Sequence, residues 1–294
     1  MSVVATRRLV LGGLAGLAWP ARAQTPLQRV ATVDWAVLET LLALGVTPVA
    51  ATELRQFAEV AVEPDVPAAT ADLGLRGLVN LEMLLLAKPE LILSSNFYAA
   101  SEDRMARIAP VESFTIYAGG VQPFAASEAM TRTIGRRLGI AERTETYLTE
   151  TAAELDGLRK RLDGATTRAM IPINLGDARH FRVFGGDSMF GEVLARLGLA
   201  NAWTLGTSYS ALAPIGLEAL AAMPGAWIAL IPPTPPDAAR ALAGSRFWNA
   251  LPAVRDGRLL ELDPVNPYGA LPAARRFARL LTEALLAARG AGHG

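Results

Sequence analysis

The sequence predicts an α/β fold in two halves joined by one long helix, and three patterns carry that expectation. Strand-like apolar runs alternate with helical patterns along most of the 294 residues. A charged segment with a single apolar stripe separates the halves. The halves also resemble each other.

In the first half the strand-like runs are Arg29 to Val33, Thr47 to Ala51, Leu91 to Ser95 and Ser113 to Tyr117. In the second they are Ala169 to Leu175, Phe181 to Phe184, Trp227 to Ile231 and Arg258 to Leu262. Between them, Glu142 to Leu162 contains no proline and sets Leu148, Thr151, Leu155, Leu158 and Leu162 on one stripe. As a helix it is roughly 30 Å long, a stiff spacer. Trp203, Trp227, Phe247 and Trp248 are assigned to core packing.

The internal repeat has two registers. A shift of 153 superposes Asp34, Glu39, Leu41, Leu44 and Gly45 on Asp187, Glu192, Leu194, Leu197 and Gly198, each a helix stopped by glycine. A shift of 136 superposes Leu81, Glu82, Leu84 and Ile92 on Leu217, Glu218, Leu220 and Ile228, a helix followed by a strand. Two offsets imply loops of different length between common elements.

Arg7 and Arg8 precede an uncharged run from Leu9 to Trp19, and Ala21 and Ala23 follow it. The run is shorter than the roughly 18 residues that cross a bilayer, and the small residues suit a signal peptidase. Residues 1–23 are therefore read as an export signal cleaved after Ala23, directing the chain to the periplasm. The paired arginines suit the twin-arginine route and an ordinary signal alike. There is no cysteine, which excludes a lipid at the cleavage site, disulfides and thiolate metal sites. Removing Arg7, Arg8 and Arg22 leaves 25 basic against 28 acidic residues, a balance that argues against nucleic acid as partner.

Catalytic chemistry finds little support. His180 and His293 are the only histidines, and no nucleophile elbow surrounds Ser188. A triad of Ser188, Asp187 and His180 is outweighed by Asp187 or Ser188 capping the helix that begins near Met189. Phosphate loops and dinucleotide fingerprints are missing, and no cofactor is expected. A single histidine ahead of the tail does not furnish a site for a bare transition metal, so any metal would arrive already chelated.

A binding reading looks to loops at the carboxyl ends of strands, where open α/β sheets place their ligands. Arg76 in "ADLGLRG", Tyr98 after "LILSS", Tyr209 in "TSYSALAP" and Tyr268 in "DPVNPYGA" all occupy such loop contexts.

The runs "ATVDWAVLETLLALGVTPVA", "DLGLRGLVNLEMLLLAKPELIL", "ARIAP", "RHFRVFGGDSMFGEVLARLGLANAW" and "FWNALPAVRDGRL" resemble, in order and over nearly the whole chain, the periplasmic ferric-hydroxamate (ferrichrome-type) siderophore-binding proteins of ABC importers. The resemblance implies two Rossmann-like lobes joined by a single long helix: an N-terminal lobe at 24–140, a linking helix at 141–163 and a C-terminal lobe at 164–294. It implies a non-enzymatic, monomeric carrier that takes a ferric siderophore and delivers it to a permease dimer. The family's cleft arginine and tyrosine fall on Arg76 and Tyr98. Where ferrichrome-type proteins carry tryptophans, this chain has Ser210 beside Tyr209, and Asn266 ahead of Tyr268, which implies a wider and more polar cleft wall. The family's pair of permease-docking glutamates falls on Glu82 and Glu218. A haem or cobalamin carrier of the same fold, or a secreted hydrolase, are the competing readings.

Overall fold

A computed structural model describes residues 29–207 and 214–290. The export signal, Tyr209 and Ser210 thus lie outside the described residues. The first half forms a parallel five-stranded sheet from β1 (Val30–Thr32), β2 (Ala50–Ala51), β3 (Ala71–Asp72), β4 (Leu91–Ser95) and β5 (Val111–Phe114), in the order β3-β2-β1-β4-β5. The second sheet comprises β6 (Met170–Leu175), β7 (His180–Val183), β8 (Ile215–Gly216), β9 (Trp227–Leu230) and β10 (Leu259–Glu261), in the order β10-β9-β6-β7-β8. It is mixed, because β7 runs antiparallel to both β6 and β8. β1 and β4 are buried on both faces, with Thr32, Ser94 and Ser95 buried alongside their apolar residues.

Helices in the first half are α1 (Trp35–Ala43), α2 (Leu54–Val60), α3 (Leu81–Leu86), α4 (Ala99–Met105) and α5 (Pro123–Arg137). Then come α6 (Ala141–Arg161), α7 (Met189–Arg196), α8 (Pro236–Ala243), α9 (Arg246–Ala250), α10 (Pro252–Arg255) and α11 (Leu271–Gly290). α6 has 21 residues, and the expected stripe of Leu148, Thr151, Leu155 and Leu158 is buried, joined by Tyr147. A Cβ on Gly135 of α5 would overlap Thr144, so a glycine lets α5 and α6 approach closely.

Both glycine-stopped helices of the repeat form. Asp34 caps α1 by accepting from the Ala36 and Val37 N–H groups, while α7 is capped by Ser188, one position beyond the repeat partner Asp187, accepting from Gly191 N–H at 3.0 Å. Gly45 and Gly198 end these two helices at φ values of 66° and 76°. Among the core tryptophans, Trp227 is 1% and Trp248 6% exposed, but Phe247 is 46% exposed. Phe247 and Trp248 are adjacent on short α9, so about 100° separates their side chains and only one can face inward.

One apolar cluster runs through both halves, from Val30 and Leu93 of the first sheet, through α1, α5, α6, α7 and α11, to Ala229 and Leu260 of the second. Two glutamates, Glu39 fully buried and Glu192 partly buried, cross this region reciprocally. Glu39 of α1 accepts from Asn266 Nδ2 at 2.7 Å and from the Ala270 N–H, at the start of α11, at 3.1 Å. Its repeat partner Glu192 of α7 accepts from the Phe124 N–H, at the start of α5, at 3.1 Å. Each carboxyl oxygen thus caps the closing helix of the other half, where the first N–H groups have no partner of their own. α11 is further tied to α6 by Arg275 and Arg279 on Glu154, at 2.5 and 2.8 Å, and to the first half by Arg276 and Arg279 on Glu63.

Burial pushes the Glu39 carboxyl from an ordinary 4.5 up to about 8, against the pull of its hydrogen bonds with Asn266 and Ala270. Because the folded value is raised, the stability this group contributes is complete below pH 4.5 and is lost as pH climbs through about 8. Chemical denaturation across that window should therefore show a fall in stability that is smaller in Glu39→Gln. Glu39→Ala, which strands the Asn266 amide and the Ala270 N–H, should cost about 2 to 4 kcal/mol at low pH, and the cost should shrink as pH climbs through about 8.

Candidate functional site

The loops leaving the carboxyl ends of the first sheet converge on one side of the molecule. Asp34 and Trp35 follow β1, Glu53 follows β2, Arg76 follows β3, and Phe97 and Tyr98 follow β4. With Arg182 of β7 and Tyr268 beyond β10 they line a pocket of about 600 Å³ between the two sheets.

The arginine is held in place before any ligand arrives. Its guanidinium carbon lies 3.6 Å from the centroid of the Trp35 ring, and the indole is itself fixed by donating to the Thr52 carbonyl at 3.0 Å. Arg76 Nε donates to Glu53 Oε2 at 2.7 Å. Its two terminal nitrogens make no hydrogen bond among the described residues and remain available to anionic oxygens. Glu53 adopts φ 48°, ψ 48°, a left-handed conformation unusual for a side chain with a Cβ, which aims its carboxylate across at Arg76.

Asp34 turns one carboxylate oxygen to the α1 backbone and accepts from Ser95 Oγ with the other at 2.7 Å; burial raises its pKa. Burial and then the Asp34 charge also raise Tyr98, so the phenol stays protonated and is a hydrogen-bond donor. Aromatic packing continues along the wall. Phe97, 51% exposed, stacks at 6.5 Å on Tyr117, and Tyr117 meets the edge of Tyr268 at 5.6 Å. Tyr117 Oη donates to the Gly269 carbonyl at 2.5 Å, across the two halves.

Of the residues expected from the sequence, Arg76, Tyr98 and Tyr268 come together in this pocket. Asn266 does not line it. The side chain is 3% exposed, its amide spent on Glu39 and its oxygen on the Tyr268 N–H at 3.2 Å, so it supports the wall from behind. Glu82 and Glu218 are exposed and lie elsewhere, each the second residue of its element, α3 and the 3-10 turn Leu217–Ala222. Both elements start on the carboxyl-end side of their sheets and run back to the beginnings of β4 and β9. The hydrolase triad does not assemble: His180 pairs with Asp177 at 2.9 Å, and Asp187 accepts from the Thr207 N–H and hydroxyl.

A profile of the periplasmic binding protein family matches residues 30–265. The chain belongs to that family. It is 30% identical over 291 residues to the iron(3+)-hydroxamate-binding protein FhuD of Escherichia coli (strain K12), spanning 97% of this chain and 98% of that one. The solved structure of the Fe3+-Desferal-bound siderophore-binding protein FhuD from Vibrio cholerae matches with a TM-score of 0.84 at 26% identity, over 88% of this chain and 98% of that one. The fold is also that of PiuA, an iron uptake ABC transporter substrate-binding protein from Streptococcus pneumoniae, at a TM-score of 0.73 and 16% identity over 88% and 93% of the chains.

Sequence reasoning missed Trp35, Glu53, Phe97 and Arg182 as wall residues of this periplasmic binding protein. Trp35 reads as the first apolar residue of α1 and Phe97 as an extension of β4. Glu53 is recognisable only through its backbone conformation. Arg182 alternates with buried Phe181 and Val183 on β7, a pattern that signals an outward face without saying what the face looks onto.

Proposed function

We propose that this periplasmic binding protein captures a ferric hydroxamate-type siderophore in the periplasm and delivers it, without chemical change, to the permease dimer of an ABC transporter. The observation that carries the reading is the preset guanidinium: Arg76, flat on Trp35 and anchored by Glu53, beside a protonated Tyr98 in an aromatic-walled cleft. A ferric hydroxamate presents negatively polarised oxygens around the metal, which suit the arginine fork and the phenol donor, while its organic shell suits Phe97 and Tyr268. The similarity to a hydroxamate-binding relative over almost the full chain supports the same ligand class. Tyr209 and Ser210, outside the described residues, complete the ligand wall in this reading. The protein acts as a monomer of two lobes, 24–140 and 164–294, with 141–163 between them, after export removes residues 1–23.

Arg76→Ala should weaken binding of a ferric trihydroxamate by about 1.5 to 3 kcal/mol, and Tyr98→Phe by about 0.5 to 1.5 kcal/mol. Tryptophan fluorescence titration reads both, since Trp35 lies under the guanidinium; unchanged affinity in a folded Arg76→Ala protein would remove this residue from the site.

Delivery rests on Glu82 and Glu218, one exposed carboxylate per half on the carboxyl-end side, matching a receptor with two equivalent subunits. Replacing both with alanine should abolish siderophore-dependent growth while the purified double variant binds ligand as before. Full transport by the double variant would contradict this role.

A further inference from the structure

The two walls of the cleft differ in how their charges are matched. On the first wall Arg76 is paired with Glu53 at 2.7 Å, and Asp34 spends its oxygens on Ala36, Val37 and Ser95. The second wall contributes Arg182, whose side chain is exposed and has no ion pair or hydrogen bond among the described residues. Its neighbour on the same strand face, His180, is held by Asp177, so local carboxylate is already committed. β7 fixes where Arg182 stands, since Arg182 sits opposite Asn174 in the antiparallel ladder and Phe181 and Val183 anchor the strand in the second core.

We infer that Arg182 is a specificity-determining residue that selects ferric siderophores bearing a peripheral carboxylate over neutral or cationic ones. The inference rests on the siderophore reading above and adds the charge class of the ligand to it. A ligand whose iron-bound oxygens meet Arg76 turns its organic periphery toward the opposite wall, where an unmatched guanidinium favours an anionic group and disfavours an ammonium. Guanidinium and carboxylate match in shape as well as charge, so the preference is directional rather than a diffuse field effect.

The test uses one ferric trihydroxamate core with three tails: desferrioxamine B with its amine free, acetylated or succinylated, giving tail charges of plus, zero and minus one. Affinities are read by tryptophan fluorescence in the full mature protein and in Arg182→Gln and Arg182→Glu. The succinylated complex should bind the unmodified protein about three- to tenfold tighter, relative to the amine form, than it binds Arg182→Gln, and the excess should shrink in high salt. Arg182→Glu should invert the order, with the amine and succinylated affinities read relative to the acetylated complex in each protein. The same amine-to-succinate ratio in all three proteins would overturn the assignment and leave the siderophore reading standing; binding of none of the complexes to the unmodified protein would overturn both.

Discussion

Two glutamates at equivalent points of the internal repeat hold the molecule's geometry. Glu39 and Glu192 each leave the first helix after an opening strand of their own half and cap the closing helix of the other half. The start of a helix carries several N–H groups with no intrahelical partner, and a carboxyl oxygen there accepts from them. Because the exchange is reciprocal, α5 and α11 are fixed against both sheets at once. A rotation of one half against the other would strand the buried Glu39 and Asn266.

The cleft inherits its shape from this exchange. Glu39 holds Asn266, Asn266 receives the Tyr268 N–H, and Tyr117 binds the Gly269 carbonyl, so the segment carrying Tyr268 is clamped from the first half. On the facing side, Trp35, Glu53 and Arg76 form a separate rigid unit in which stacking sets the plane of the guanidinium and the ion pair sets its rotation. A site prepared in this way loses little side-chain entropy when it is filled, which favours tight binding. A lysine at position 76 would supply the charge without the planar fork or the stacking surface.

Much of this was legible in the sequence because the signals were long or chemically specific. β4 is found at the residues expected, and α6 lies one residue from the segment its stripe marks out. The run Ser113 to Tyr117 misled by about two residues, since Ile116 and Tyr117 are buried in the large core cluster and not by the ladder, which pairs Val111 to Phe114 with β4. β3 and β8, two residues each, are too short to carry a period. Arg76, Tyr98 and Tyr268 were reached through loop context and family resemblance. Asn266 was placed on the wall because its position aligns with a wall residue, while its burial depends on Glu39, 227 residues away in the chain. Contacts of that separation leave no local pattern to read.

The most direct measurement is anomalous diffraction at the iron edge from crystals of the mature protein grown with ferric desferrioxamine B. The account predicts a single iron peak in the pocket bounded by Arg76, Tyr98, Arg182 and Tyr268, with the spacing of the two sheets unchanged from ligand-free crystals. An iron peak elsewhere, such as the cavity of about 320 Å³ lined by Leu175, Leu230, Leu242 and Trp248, or no ordered iron in the cleft, would contradict it.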